Sequence, residues 1–228
     1  MPYARGVREA VLFDIHGNVD ALEAVLAEAD ALGCEGLILG GDYAFLGPAP
    51  AACVDRLRDD PRPAVAIRGN TDRMIAEGGD AIGDWAADRL GAERVAWLGG
   101  LPGQAHLPRH AALLVHATPR GDEERLLPDT PDPQAEAMVA GVEVPTLLHG
   151  HVHLQHRRRI GGLEVVNPGS VGFPFDGDPR AAWAVIEDGA VELRRTAYDA
   201  ERALARLAAA VSHPERALAE RRLRTARA

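Results

Sequence analysis

The chain has 228 residues with a formal net charge of −9, from 34 acidic against 25 basic side chains, and it contains no lysine. That acidic balance argues against a broad nucleic-acid-binding face, which needs cations to neutralise phosphates, and two isolated cysteines without a CxxC exclude a disulfide scaffold or thiol redox chemistry. No apolar run reaches the roughly 18 residues that span a bilayer, and no apolar signal segment follows the first arginines, so a cytoplasmic protein with no membrane partner is expected.

Of the hydrophobic residues 41 are alanine, and only ten residues are aromatic, a composition that favours helices and close packing. Residues 9–14 form an apolar run ending in the polar turn IHGN, followed by Leu22, Val25, Leu26, Ala29 and Leu32 at helical spacing, with Gly33 as the stop. A second run at 36–39 ends at GGD, a helix is expected over 49–59, and a third run at 64–67 ends at RGNTD. Strand, loop and helix thus repeat, the pattern of a parallel sheet with helices on its faces. Residues 80–101 read as a helix broken by Gly91 and closed by GGLPG. Short strand-like runs follow at 111–115, 145–148, 154–160, 163–166, 182–186 and 191–195, and their Gly, Pro and Asp spacers predict antiparallel hairpins, with EDGA at 187–190 a tight turn. A Pro/Asp-rich loop at 128–133 leads to a short helix ending near 140. From about 199 the tail reads as two helices split by SHPE, where Ser212 and Glu215 have capping-box spacing. Without a repeat or a linker, residues 1–228 are expected to form one domain.

Residues able to do chemistry stand where the strand-like runs end. Asp14 and His16 follow the first, and extended geometry there would project both side chains from one face. Asp42 ends the second run, Asn70 follows the third, His116 ends ALLV, and His151 and His153 follow TLL. Open sheets place ligand-binding crevices at such strand ends. Alone, each of these residues also fits ordinary turn or hydrogen-bonding chemistry. The joint order D-x-H, GD, GN, strand-end His, G-H-x-H is far more specific.

This order resembles the calcineurin-like metallophosphoesterases, from about residue 11 to 199. The motifs DIHGN (14–18), GDYAFLGPAP (41–50), RGNTD (68–72), WLGGLPG (97–103), VHATPR (115–120), GHVH (150–153) and NPGSVGFPFDGDPRA (167–181) carry the similarity. It implies a four-layer αββα sandwich, here with C-terminal helices, and two divalent metal ions. Asp14, His16 and His153 would bind one ion, Asn70, His116 and His151 the other, and Asp42 would bridge them, which makes Asp42, Asn70 and His116 the catalytic core. Imidazole, carboxylate and amide donors suit Mn, Fe, Zn or Ni better than the all-oxygen site of magnesium, and among these Mn is favoured. The implied reaction is hydrolysis of small phosphodiesters or phosphomonoesters by a hydroxide bridging the two ions. A nuclease or a protein phosphatase on the same site, and a non-catalytic interaction module of the same fold, are the alternatives.

Many members of the superfamily carry His directly after the GN pair, where it is proposed to assist the leaving group. Here that position is Thr71, whose hydroxyl is no ordinary general acid, and Asp72 or a water is an alternative. Asn18 fits either a phosphate contact or the cap of the following helix, and Arg120 either a substrate contact or a solvated loop residue. His149 reads as packing rather than as a partner of the ligands, and His106, His110, His156 and His213 as surface or turn residues. Arg157, Arg158 and Arg159 read as a strand with one solvated face. Tyr43, Phe45 and Leu46 are candidates for a pocket wall or for core, and Gly169 with Ser170 for a tight turn without a nucleophile.

Overall fold

The computed structural model describes residues 6–210, 212 and 214–228, so the reading of residues 1–5 and of His213 falls outside them. Strand β1 (Arg8–Leu12) opens the fold, and helix α1 (Val19–Ala31) follows with Asn18 as its cap, the Asn18 Oδ1 accepting the Ala21 N–H at 3.2 Å. Strand β2 (Gly36–Leu39), helix α2 (Pro50–Arg58) and strand β3 (Ala64–Ala66) complete the expected alternation. Helix α3 (Asn70–Glu77) was not legible in the sequence, because NTDRMIAE buries only Ile75 among its apolar side chains. Helix α4 (Ala81–Gly100) is capped by Asp80 and is interrupted, as expected, at Gly91, where φ is +73°.

The second half holds β4 (Gln104–Leu107), β5 (Ala112–Val115), α5 (Asp132–Met138), β6 (Thr146–Leu148), β7 (His156–Ile160), β8 (Leu163–Asn167), β9 (Ala181–Glu187), β10 (Ala190–Thr196), α6 (Ala200–Ala209) and α7 (Arg216–Thr225). The expectation of antiparallel hairpins holds for β7–β8 and β9–β10 and fails at the centre, where β5, β6 and β8 run parallel. Apolar strands this short, buried on both faces, look alike in either arrangement. The connection decides: residues 116–145 carry α5 across from β5 to β6, which a hairpin would not need. In the turn between β9 and β10, Asp188 and Gly189 both adopt positive φ, +50° and +83°, the paired signature of a type I′ hairpin.

Two five-stranded sheets result, ordered β10-β9-β1-β2-β3 and β4-β5-β6-β8-β7. Strand alternation assigns each side chain to a layer. Leu12, Leu37 and Leu39 face the helices α1, α2 and α4, packing with Leu22, Leu26, Cys53, Leu57, Trp85 and Leu90. Val11, Phe13, Ile38, Leu114, Leu148 and Val166 face inward and form the apolar layer between the sheets. Leu113, Val115, Leu147 and Val165 face the outer side with Ala135 and Met138 of α5. Helices, sheet, sheet and helix form the expected four layers, and α6 and α7 pack on Leu46 and Phe173 at one end.

Several local expectations change. Ser212 does not cap α7, whose N-cap is Glu215, and its hydroxyl instead accepts from Arg89 Nη2 at 2.7 Å. His110 is buried, with Nε2 2.6 Å from Glu9 Oε2, because the single 3-10 turn Pro108–His110 tucks it under β1. His156 is half-buried at the start of β7. Cys34 and Cys53 are buried free thiols.

Leu114 is wholly buried between the sheets. Leu114→Ala is expected to lower unfolding stability by about 2–5 kcal/mol, read as a shifted urea midpoint at unchanged slope.

Candidate metal centre

The parallel strands β1, β2 and β3 of one sheet and β5 and β6 of the other all end at the same edge of the sandwich, and the loops that leave them converge. Asp14 and His16 come from the β1 loop, Asp42 from the β2 loop, Asn70 from the first turn of α3, His116 from the residue after β5, and His151 and His153 from the β6 loop. All seven are brought together. Their backbone is not the extended one expected for D-x-H and H-x-H. Asp14, His16, Asp42, His151 and His153 have φ of +55°, +48°, +61°, +66° and +57°. Left-handed backbone at a non-glycine residue costs about 1–2 kcal/mol, and its concentration here marks a place where surrounding contacts hold the chain in a strained form. Those contacts are visible. The amides of Asp14 and His16 donate to the carbonyls of Gly41 and Asp42 at 3.1 and 2.8 Å, and Gly172 N–H donates to Asp14 O at 3.0 Å.

The imidazoles are locked by backbone carbonyls. Nδ1 of His16 donates to Phe45 O at 3.1 Å, that of His116 to Gly40 O at 2.9 Å, and that of His153 to Phe173 O at 2.6 Å. A carbonyl only accepts, so each Nδ1 carries a proton, and the neutral rings of His16 and His153 present a bare Nε2 to the centre. His151 is turned the other way, with Nε2 3.1 Å from Glu123 O and Nδ1 facing inward. Potential ligand atoms then crowd together: His16 Nε2 lies 3.1 Å from His153 Nε2, and Asn70 Oδ1 lies 3.0 Å from His116 Nε2 and 3.1 Å from His151 Nδ1.

Two carboxylates sit among them. Asp14 Oδ2 accepts His151 N–H at 3.0 Å, while Oδ1 is buried without a hydrogen bond, 3.4 Å from His153 Nε2, 3.9 Å from His16 Nε2 and 4.0 Å from His116 Nε2. Asp42 Oδ1 accepts Thr71 N–H at 3.0 Å, and Oδ2 is 3.5 Å from Nε2 of both His16 and His116. Burial alone would raise both carboxyls. The facing imidazoles outweigh it and hold both below the usual range, His153 and His116 for Asp14, His116 and His16 for Asp42. Burial pulls His16 down to about 4, whereas at His116 the charges of Asp42 and Asp14 overcome burial and push it up to about 10. The sets Asp14, His16, His153 and Asp14, Asp42, His116 each place one donor atom per residue within 4.8 Å of the others, a spacing that fits a metal ion. Lone pairs facing lone pairs, plus an orphaned buried carboxylate oxygen, fit bound cations.

Glycines make this approach possible. A Cβ on Gly69 would stand 2.1 Å from Asp42 Oδ1, and one on Gly150 would stand 2.8 Å from Asp14 Oδ2.

Other expected residues fall elsewhere. Asn18 is a helix cap with no free valence, since Nδ2 donates to Gly172 O at 3.0 Å and to Tyr198 Oη at 3.3 Å, so it is not placed for substrate. Asp72 is also withdrawn from substrate: it is fully buried and accepts the N–H groups of Asp42, Gly69 and Tyr43 at 2.7, 2.9 and 3.0 Å, bracing the β2 loop against α3. Burial and the charge of Asp42 push its carboxyl up to about 7 against the pull of those three donors. Thr71 is buried beside Asp42, and its hydroxyl has no partner. Arg120 is half-exposed, tied to Glu124 and to Ala137 O. Tyr43 is core, its hydroxyl 2.6 Å from Ile67 O, whereas Phe45 contributes its carbonyl. Ser170 closes a turn, donating to Asp14 O at 2.7 Å. His149 is buried, makes no hydrogen bond through its ring, and packs edge-on to His156 with centroids 5.3 Å apart; burial pushes it down to about 3. The carbonyls of Gly40, Phe45 and Phe173 were missed, as was Phe175, which stacks on His153 at 4.3 Å. Backbone acceptors have no residue-type signal; the glycines in GGD and RGN were the nearest clue.

Comparison with known proteins agrees with this geometry. A model of the calcineurin-like phosphoesterase superfamily domain matches residues 8–189. The uncharacterised protein MJ0912 of Methanocaldococcus jannaschii is 28% identical over 222 residues, covering 85% of this chain and 89% of that protein. The phosphodiesterase YfcE of Escherichia coli K12 is 26% identical over 186 residues, 77% of this chain and 84% of YfcE. The crystal structure of a metallophosphoesterase from Sphaerobacter thermophilus superposes with a TM-score of 0.82 at 25% identity, covering 97% of this chain and 99% of that one. With all seven converging residues inside the matched span, the chain belongs to the calcineurin-like phosphoesterase superfamily and is a hydrolase of phosphoric esters.

Proposed function

We propose that the protein is a dinuclear-metal-dependent phosphoesterase acting on small phosphodiesters or phosphomonoesters. Asp14, His16 and His153 hold one cation, Asn70, His116 and His151 the other, and Asp42 lies between the two sets. The observation that carries this reading is the meeting of unprotonated donors: Nε2 of His16 faces Nε2 of His153 at 3.1 Å with both Nδ1 protons engaged elsewhere. The equal 3.5 Å separations of Asp42 Oδ2 from His16 and His116 support the bridging role. The mixed donor set favours Mn, Fe, Zn or Ni over magnesium, with Mn first. Two such ions would supply Lewis acidity, making a water more acidic and offsetting charge on the phosphoryl oxygens.

The chain's own residues do the rest. Asp42 is fixed by Thr71 N–H through one oxygen, which leaves the other to face both imidazole sets. The carbonyls of Phe45, Gly40 and Phe173 set the ring orientations, so little reorganisation is needed on binding. Asn70 and His151, both half-buried, form the accessible side where a small ester enters. Thr71 offers a hydroxyl and no ordinary acid, so the departing alkoxide is favoured only when it is a good leaving group or finds a proton in water. No helix among the described residues is long and apolar enough to cross a membrane. One domain working in the cytoplasm without a nucleic-acid partner completes the proposal.

Mn²⁺ added to metal-free protein is expected to raise the melting temperature, by the equivalent of about 2.7 kcal/mol at a hundredfold excess over Kd, and EDTA to reverse it. Asp42→Asn should lower kcat on bis(p-nitrophenyl) phosphate by roughly a hundredfold or more, beyond what loss of an outer hydrogen-bond partner costs. Wild-type activity equally supported by the asparagine variant would remove Asp42 from the bridging role. Across a leaving-group series the wild-type rate should fall steeply as the alcohol becomes less acidic. Thr71→His is expected to flatten that slope, raising rates on poor leaving groups by about tenfold or more.

A further inference from the structure

Beside the centre, on the His116 side, lies an open cleft of about 500 Å³ bounded by Arg68, Gln104, His116, Thr118, Arg120 and Asp122. Arg68 stands between β3 and Asn70. Its backbone N–H donates to Pro102 O at 2.9 Å, which joins the end of β3 to the loop before β4, and its guanidinium donates only to Gly99 O, at 3.2 Å. Among the described residues it makes no ion pair, although acidic residues outnumber basic ones in this chain. Arg120 bounds the same cleft, its guanidinium steadied by Glu124 and by Ala137 O at 3.2 Å, and its backbone N–H donates to Thr118 Oγ1 at 3.3 Å. The carboxylate in the wall, Asp122, has its own partner in Arg73, whose Nε and Nη2 lie 2.9 and 3.2 Å from its two oxygens and which also pairs with Glu77 and Glu123. Arg68 is thus the cation of this cleft that has no carboxylate partner among the described residues, in a wall that it shares with His116 of the centre.

A planar guanidinium fork binds phosphoryl oxygens in pairs, and its donors are wasted on a neutral group. We propose that this cleft takes a second phosphoryl group of the substrate, with Arg68 as a specificity-determining contact, so that the enzyme prefers esters carrying two phosphoryl groups over those carrying one. This rests on the phosphoesterase reading above, with the scissile group at the centre and the second group against Arg68. Arg120 guards the outer edge, and Thr118, Oγ1 of which also donates to Glu124 at 2.7 Å, keeps that edge in place.

The test is calorimetric titration of the full-length, Mn²⁺-loaded protein with thymidine 5′-phosphate and with thymidine 3′,5′-bisphosphate. The bisphosphate is expected to bind about tenfold tighter, the scale of one charge-assisted contact, and that advantage should vanish in Arg68→Gln. It should persist in Arg109→Gln, which removes an exposed charge on the turn before β5. Equal affinities in the wild type overturn the inference without recourse to any variant. So does an advantage that survives Arg68→Gln, or one that Arg109→Gln abolishes as well, since the latter would be an effect of net charge alone. Turnover is scored separately: no release of p-nitrophenol from bis(p-nitrophenyl) phosphate would overturn the phosphoesterase reading, while the nucleotide affinities are taken from titrations over which a phosphate assay shows both nucleotides intact.

Discussion

Two buried carboxylates within reach of the same imidazoles are the constraint on which the rest of the structure turns. Asp14 and Asp42 are shielded from water, and desolvated negative charge is tolerated only beside compensating positive charge. Without ions, a proton on His116 supplies part of it, as its strongly raised basicity shows. The other rings have their Nδ1 protons or their outward nitrogens committed to backbone carbonyls and offer lone pairs instead. Such an arrangement is under electrostatic tension by itself and fits the binding of cations. Left-handed backbone at five of the converging residues and glycines at the closest approaches are what it takes to bring these groups so near one another.

The fold supplies the means. Parallel strands all point their carboxyl ends the same way, so a sandwich with parallel centres in both sheets gathers five loops at one edge. Neither sheet alone carries the full set: Asp14, His16, Asp42 and Asn70 follow strands of one, and His116, His151 and His153 follow strands of the other. The β8 loop then closes over the centre, with Ser170 held to Asp14 O, Asn167 held to Gly150 O, and Phe173 O held to His153. The C-terminal helices reach the same place through Phe175, which stacks on His153 on one face and carries Arg222 5.0 Å from its ring centroid.

Much of this was legible in residue order. The seven converging side chains were all identifiable because carboxylates, amide and imidazoles at successive strand ends form a specific series, and apolar runs with Gly and Asp stops located most of the strands and helices. What escaped shares one physical character. The parallel centre of the second sheet depends on connection geometry, not on the strands' own residues. The orientation of His16, His116 and His153 depends on carbonyls that every residue possesses. Asn18 and Asp72 look like substrate contacts by type and motif, yet their valences are filled by neighbours distant in sequence, at Gly172 and Tyr198 for one and at Asp42 and Tyr43 for the other. Type and spacing reveal what a residue can do; burial and partners decide whether it is free to do it.

The apolar layer between the sheets acquires a second meaning from this division of labour. Because the two halves of the centre ride on different sheets, the gap between His16 and His116 is set by the thickness and registry of Val11, Phe13, Ile38, Leu114, Leu148 and Val166. A catalytic constellation tolerates misplacement of only about 0.5 Å, less than the width of a methyl group. That layer is thus a gauge block as well as a core: a lost methylene under the outer helices would only loosen the molecule, whereas one lost here would also detune it.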